Sequence, residues 1–198
     1  MDSDLRPAAF IDRDGVINAE LHYVSRVEDF HLLPGVVEGM QRLAGLGYAL
    51  VVVTNQAGIA KGKYDEVAYQ RLTLHMRRTF AAQGLHFAGV YHCPHHPQGS
   101  VARYARVCDC RKPAPGMLLR AAQELNLDLP RSVLIGDKPS DAAAGRAAGV
   151  RFTVLVESGH ALQDDALDHA DHRCAGLMQA AEWITEQTAS RFPSHPSQ

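Results

Sequence analysis

Short apolar runs alternate with longer amphipathic stretches along most of the chain. Five runs read as buried strands: "AAFI" (8–11), "ALVVV" (49–53), "AGVYH" (88–92), "SVLIG" (132–136) and "FTVLV" (152–156). They are short and bounded by polar residues or glycine, as strands covered on both faces are. Between them the pattern predicts helices. Residues 36–46 stop at Gly47, a natural helix end. Residues 65–83 set Val67, Leu72, Leu74 and Met76 among polar positions. Pro115 opens a helix through Leu125, because proline is tolerated in a first turn. An alanine-rich helix at 139–148 ends before Gly149, and 175–187 form a closing helix.

Strand followed by helix, repeated, predicts an α/β fold: a Rossmann-like, doubly wound parallel sheet with helices on both faces. One domain is expected over 1–187. The polar, proline-bearing segment 188–198 is expected to fray. In such sheets ligands bind beyond the carboxyl ends of the strands. The residues just after each apolar run therefore carry the candidate chemistry.

Asp12 and Asp14 follow the first run in "DRDG". Two apart in extended backbone, their carboxylates share one side and repel, so they need a cation, a proton or separate roles. Gly15 lets the chain turn away. A plain Asp-Gly turn accounts for this stretch equally well. Thr54, Asn55 and Gln56 follow the second run, in a loop able to cradle an anionic oxygen or simply to be polar. Arg111 and Lys112 stand in "RKPAPG", as phosphate-gripping cations or a solvated pair. "GDKPSD" places Asp137 at the fourth strand end, Lys138 beside it and Asp141 one helical turn on. Asp12, Asp14 and Asp137 could hold a hard cation such as Mg²⁺, which takes carboxylate and carbonyl oxygens.

Composition narrows the classes. The 198 residues are 46% hydrophobic and 21% charged with a net charge of −2, a globular balance. No basic block suggests nucleic acid, and no stretch approaches the ~20 apolar residues of a membrane span. The first residues do not form a signal peptide, so a cytoplasmic location is expected. Thiols there stay reduced, which makes the cysteine usage informative. Three of the four cysteines fall between residues 93 and 110. Cys93-x-His95, twelve residues, then Cys108-x-Cys110 supplies three thiolates and one imidazole, a complete tetrahedral set for Zn²⁺. His96 competes with His95 as the nitrogen ligand. Three buried free thiols are the bland alternative. Cys174 lies far away in sequence and reads as an ordinary packed cysteine.

These motifs come in the order carboxylates, hydroxyl, lysine, carboxylate. In that order the sequence resembles the haloacid dehalogenase-like phosphatases. "DRDG", "VVVTN", "RKP" and "GDKPSD" match their four motifs. Over roughly residues 7–187 it is similar to one branch, the cytoplasmic D-glycero-D-manno-heptose 1,7-bisphosphate phosphatases. "IDRDGVIN", "VVVTNQAGIAKGKY", "YHCPHHPQGS" and "CDCRKPAPGML" carry that likeness. Many relatives have Thr where this chain has Val16, a departure.

The resemblance implies a Mg²⁺-dependent phosphatase working through an aspartyl-phosphate. Asp12 would be the nucleophile, and Asp14 the acid and then the base. Mg²⁺ would sit on the Asp12 carboxylate, the Asp14 carbonyl and Asp137. Thr54 and Asn55 would bind phosphoryl oxygens, and Lys112 would offset transition-state charge. Lys138 would help hold Asp137 and the phosphate. Arg111 would serve the second phosphate or the sugar, with Gln56 a lesser substrate contact. Zn²⁺ on Cys93, His95, Cys108 and Cys110 would be structural, fixing a small loop insert in a fold with no large cap domain. The expected substrate is a small phosphorylated sugar, the heptose 1,7-bisphosphate with the beta anomer favoured, on the route to nucleotide-activated heptose and lipopolysaccharide core. A monomer is the default. Histidinol-phosphate phosphatase is the rival enzyme, and a non-catalytic zinc-bearing interaction module the rival from another class.

Overall fold

The computed structural model describes residues 5–159 and 170–189. The expectation of a frayed tail lies, from residue 190 on, outside the described residues. Six parallel strands form one sheet: β1 (Ala8–Ile11), β2 (Ala49–Asn55), β3 (Gly89–Cys93), β4 (Val133–Gly136), β5 (Phe152–Val156) and β6 (His172–Cys174). Their order is β3-β2-β1-β4-β5-β6. The helices are α1 (Val36–Gly45), α2 (Ala57–Ala60), α3 (Glu66–Ala81), α4 (Gly116–Leu125), α5 (Pro139–Ala148) and α6 (Leu177–Ala189).

Alternation along β1 builds both cores. Ala9 and Ile11 face the layer of α1, α3 and α6, with Met40, Leu43, Leu72, Met76, Phe80 and Ile184. Ala8 and Phe10 face the layer of α4 and α5, with Met117, Leu118, Ala121 and Ala144. Side chains of successive strand residues point to opposite faces, so a strand apolar at every position can feed two cores. The doubly wound architecture expected from the pattern is thus the one observed.

The chain runs outward from β1 through β2 to β3, then returns to the other side of β1 at β4. The switch point between β1 and β4 is where such sheets open a crevice. Ile11 is in register with Val52 and Ile135, and the Asp12 amide continues the ladder to the Ile135 carbonyl at 2.9 Å. Asp12 therefore leaves the sheet beside the end of β4, where Asp137 follows.

Several expectations need correction. β6 and the single turn α2 have no counterpart in the sequence reading. "HRC" in β6 is not an apolar run, and α2 is too short for a periodic signal. In α3, Leu72 and Met76 are buried, but Val67 and Leu74 face solvent at 61% and 49% exposure. The buried face runs through Tyr69, Leu72, Met76 and Phe80, at the three- and four-residue spacing of one helix face. Pro115 sits just before α4 as its N-cap rather than inside the first turn. The closing helix extends to Ala189. Val16 is fully buried in the first core, where a β-branched side chain without a hydroxyl packs without an unsatisfied polar atom. Among the described residues there is no large cap, only the loop between β3 and α4.

Candidate active site

The ends of β1 and β4 and the first turn of α5 bring the carboxylates together. Oxygens of Asp12, Asp137 and Asp141 lie within 4.8 Å of one another, and all three residues are buried. Lys112 reaches this cluster from the loop before α4. Its Nζ lies 3.0 Å from Asp12 Oδ1 and 2.6 Å from Asp141 Oδ1, and donates to the Val53 carbonyl at 2.8 Å. Three donors on one ammonium thus meet three oxygens. Burial alone would lower the Lys112 proton affinity, but Asp12 and Asp141 outweigh it and hold the ammonium above its ordinary value. Burial pushes Asp12 up to about 7, against Lys112 and together with Asp141, Asp137 and Asp14.

Three buried carboxylates face one buried lysine, which touches two of them, and the half-exposed Lys138, 3.9 Å from Asp137, so negative charge is in surplus in a set made only of hard oxygens. That donor chemistry fits Mg²⁺. Glycines shape the place: Gly15, at φ +87°, and Gly159 press on Asp137, and a Cβ on either would collide with its Oδ2. Asp141 lies over Gly136 in the same way, and its Oδ2 accepts from the Lys138 amide at 3.0 Å. The sequence reading noted Asp141 but left it out of the metal set. It missed Gly159 altogether, since a glycine after a strand carries no distinguishing signal.

Asp14, expected to meet the metal through its backbone carbonyl, points its side chain elsewhere. Its carboxylate turns to Arg13, which grips it through Nε at 3.1 Å and Nη2 at 2.8–2.9 Å. Asn18 Nδ2 donates to Oδ1 at 3.0 Å and Gln56 Nε2 to Oδ2 at 3.0 Å. Arg13 is 1% exposed, and its guanidinium also donates to the Val24 carbonyl at 3.0 Å. Sequence reasoning passed over Arg13 because a residue between two aspartates in an extended segment should point to the opposite face. Here the chain turns immediately, and the Ile17 amide closes back on the Arg13 carbonyl at 2.8 Å.

Thr54, Asn55 and Gln56 do reach the site, and Asn55 and Gln56 also make contacts within the protein. Asn55 spends both ends of its amide on the Lys112 backbone: Nδ2 donates to the carbonyl at 3.0 Å, and Oδ1 accepts from the amide at 3.1 Å. It holds the lysine loop in place, and Nδ2 keeps a second hydrogen to give. Gln56 is buried and engaged at both ends, as set out below. The Thr54 hydroxyl accepts from Gln56 Nε2 at 2.8 Å, which leaves its own proton to give.

The cysteine loop closes as the spacing suggested. Sγ atoms of Cys93, Cys108 and Cys110 are 3.2–3.5 Å apart, and His95 Nδ1 is 3.7 Å from Cys93 and 3.4 Å from Cys110. Tetrahedral Zn²⁺ with bonds of about 2.3 Å has ligand separations of about 3.8 Å, so these four atoms sit where such an ion needs them, slightly contracted. All four cysteines are free, with no disulfide to account for the cluster. His96 is not part of it: its Nδ1 accepts from the Gln98 amide at 3.1 Å, and it faces the active-site cleft. Cys174 is half-buried on β6 against the first core.

The cleft above the carboxylates has a volume of ≈ 500 Å³. Lys61, His96, Arg111 and Lys138 line it, with Asp14 and Glu20 the two acids. Lys138 lies 3.5 Å from Glu20 and 3.9 Å from Asp137. Burial, then Arg111 and Lys61, push the His96 imidazole below its ordinary range. Arg111 Nη1 donates to the His95 carbonyl at 3.4 Å, which ties this wall to the cysteine loop.

Comparisons with known proteins agree with this geometry. A HAD-hydrolase-like family model matches residues 109–180. The D-glycero-beta-D-manno-heptose-1,7-bisphosphate 7-phosphatase of Escherichia coli strain K12 is 44% identical over 181 residues, covering 91% of this chain and 95% of that protein. The Salmonella typhi protein of the same name is 46% identical, covering 91% and 96%. Among solved structures, the D,D-heptose 1,7-bisphosphate phosphatase from B. bronchiseptica, complexed with magnesium and phosphate, superposes with a TM-score of 0.77 at 28% identity. It covers 91% of this chain and 99% of its own. The corresponding Burkholderia thailandensis structure gives a TM-score of 0.63 at 28% identity, covering 91% and 99%.

Proposed function

The chain belongs to the haloacid dehalogenase-like phosphatases, in their heptose bisphosphate phosphatase branch, and from that membership we propose that it removes the 7-phosphate of D-glycero-β-D-manno-heptose 1,7-bisphosphate. The anomeric phosphate stays in place. The product would feed nucleotide-activated heptose for lipopolysaccharide core.

One observation carries the choice of a bisphosphate. The cleft has a wall lined by the cations Lys61 and Arg111, together with the imidazole of His96. A substrate that keeps a second phosphate suits that wall. Histidinol phosphate, with a cationic amine, would want acids there, and both acids that line the cleft are engaged, Glu20 beside Lys138 and Asp14 with Arg13. A non-catalytic zinc module has no use for Asp12, Lys112 and three buried carboxylates.

In this reading Asp12 attacks phosphorus as the bond from phosphorus to the sugar oxygen breaks, giving an aspartyl-phosphate. Asp14 gives its proton to the leaving oxygen and then takes one from the water that hydrolyses the intermediate. Lys112 and the Thr54 hydroxyl stand where they offset charge on the phosphoryl oxygens. Mg²⁺, held by Asp12, Asp137, Asp141 and the Asp14 carbonyl, would neutralise phosphate charge and align the attack. Zn²⁺ on Cys93, His95, Cys108 and Cys110 would be structural, because the four ligands leave no open position. Among the described residues no helix is long and apolar enough to cross a membrane. A cytoplasmic monomer acting on a small phosphorylated sugar completes the proposal.

Phosphate release with Mg²⁺ from both heptose bisphosphate anomers and from histidinol phosphate tests it, with Asp12→Asn as the blank. The beta anomer should be turned over fastest and the blank should be silent. Preference for histidinol phosphate would overturn the substrate and leave the fold and metal sites standing.

A further inference from the structure

The Gln56 side chain sits at the mouth of the phosphoryl site, yet it has nothing left to offer a substrate. Its amide can donate two hydrogen bonds and accept two. Nε2 donates to Asp14 Oδ2 at 3.0 Å and to Thr54 Oγ1 at 2.8 Å. Oε1 accepts from Arg13 Nη2 at 3.2 Å and from the Tyr64 hydroxyl. The amide orientation follows from these partners, because the reverse would set an NH₂ group against a guanidinium. Gln56 is 1% exposed, and its backbone amide donates to the Cys93 carbonyl at 2.8 Å. Both its side chain and its main chain are fixed.

We propose that Gln56 is a positioning residue for the proton donor Asp14 and not a substrate ligand, with Tyr64 holding Gln56 in turn. This rests on the role given to Asp14 above. Gln56 and Arg13 grip the Asp14 carboxylate from two directions, and Tyr64 and Arg13 grip Gln56. The carboxylate's place is therefore set by a closed ring of side chains and not by its own rotamer alone. Tyr64 packs over Gly58, where any Cβ would strike its ring, so the hydroxyl has little freedom to leave Gln56. Behind it, the Val101 amide of the cysteine loop donates to the Ala60 carbonyl at 2.9 Å, bracing the turn that carries these residues.

The chemical consequence is specific. When the phosphorus–oxygen bond breaks, the electron pair goes to the leaving oxygen, which takes the Asp14 proton. A poor leaving group needs that proton, and a good one does not. The experiment measures kcat/KM of the magnesium-loaded enzyme on aryl phosphates whose phenols span a range of acidity. In wild type the rate should depend weakly on leaving-group acidity. In Gln56→Met the least acidic phenols should lose about 10- to 100-fold, and the most acidic less than about threefold, so the dependence steepens. Tyr64→Phe should steepen it in the same sense by less, which covers the case of a poorly folded Gln56→Met. An equal loss across the series, or none, overturns the proposal, as does a weakened inhibition by inorganic phosphate. If wild type shows the weak dependence but ignores heptose bisphosphate, the substrate assignment fails and the role of Gln56 stands.

Discussion

Lys112 Nζ and Asp141 Oδ1 are 2.6 Å apart, both all but closed to solvent. The same nitrogen lies 3.0 Å from Asp12. With Lys138 3.9 Å from Asp137, Lys112 is the shared counter-charge for Asp12 and Asp141. Lys112→Met should leave them uncompensated, at a cost of about 3–5 kcal/mol in the metal-free protein. Magnesium should restore more stability to the variant than to wild type, because it replaces the missing charge. Urea unfolding with and without Mg²⁺ measures both. Activity should fall even when metal is saturating, since Lys112 also faces the phosphoryl site. A metal-free variant as stable as wild type would show that the lysine does not balance the cluster.

The same cluster makes metal-free stability depend on pH. Burial raises Asp12 to about 7 in the folded protein, and an unfolded aspartate titrates near about 3.9. Between those values the folded state keeps a proton that the unfolded state has released. Stability therefore falls as pH rises across that window, and the full loss, a few kcal/mol in order of magnitude, is reached above about 7. The metal-free protein should unfold at higher urea at pH 5 than at pH 8. Asp12→Asn should flatten this difference, and so should Mg²⁺. An unchanged slope in Asp12→Asn would assign the effect to other groups.

Cys108→Ser tests the sulfur cluster. Removing one of four ligands should empty the site of zinc, read by metal analysis of the purified protein. The cluster leads directly into Arg111 and Lys112, so phosphatase activity should fall about tenfold or more. The magnesium-induced rise in Tm should persist, because the carboxylates sit on other strand ends. Full activity after zinc loss would remove the cluster from any part in catalysis.

Much of this was legible in the sequence, and what was not shares a cause. The five apolar strands announced themselves because a strand buried on both faces has no polar positions to interrupt it. The two carboxylates were legible because they directly follow β1, and the lysine and the sulfur ligands because each stands in a short motif between the end of β3 and α4. Arg13, Gly159, the place of Asp141 in the carboxylate cluster and the internal contacts of Asn55 and Gln56 were not. Those depend on partners 40 or more residues away, or on a turn that redirects a side chain. Gln56 and Asp14 are 42 positions apart, and Asn55 and Lys112 are 57. His95 and His96 are adjacent, and only the path of the folded loop separates the ligand from the cleft residue.

Arg111 should divide substrates by the phosphate they keep. It lines the cleft, while Lys112 beside it turns inward to Asp12. Arg111→Ala should raise KM for the heptose bisphosphate by about 10- to 100-fold, the loss of one charge-assisted pair. An aryl monophosphate, which has no second phosphate, should change by less than about threefold in kcat/KM. Equal losses on both would place Arg111 at the transferred phosphate.

Gly159 gives the sharpest steric test. It lies in the loop after β5, and its Cα faces Gly15 across Asp137. A methyl group there meets Asp137 Oδ2 and the Gly15 backbone, neither of which has room to yield. Asp137 is fully buried at the end of β4, so it must rotate or drag the strand end with it. Gly159→Ala should therefore raise the magnesium concentration needed for half-maximal activity by at least about tenfold, the penalty typical of displacing a metal ligand's support. The zinc content should stay unchanged, because the sulfur cluster lies beyond β3 at the opposite edge of the sheet. Activity titrated against Mg²⁺, beside Asp137→Asn, measures the effect. If Gly159→Ala keeps the wild-type magnesium dependence while Asp137→Asn loses it, the glycine pair does not hold the ligand.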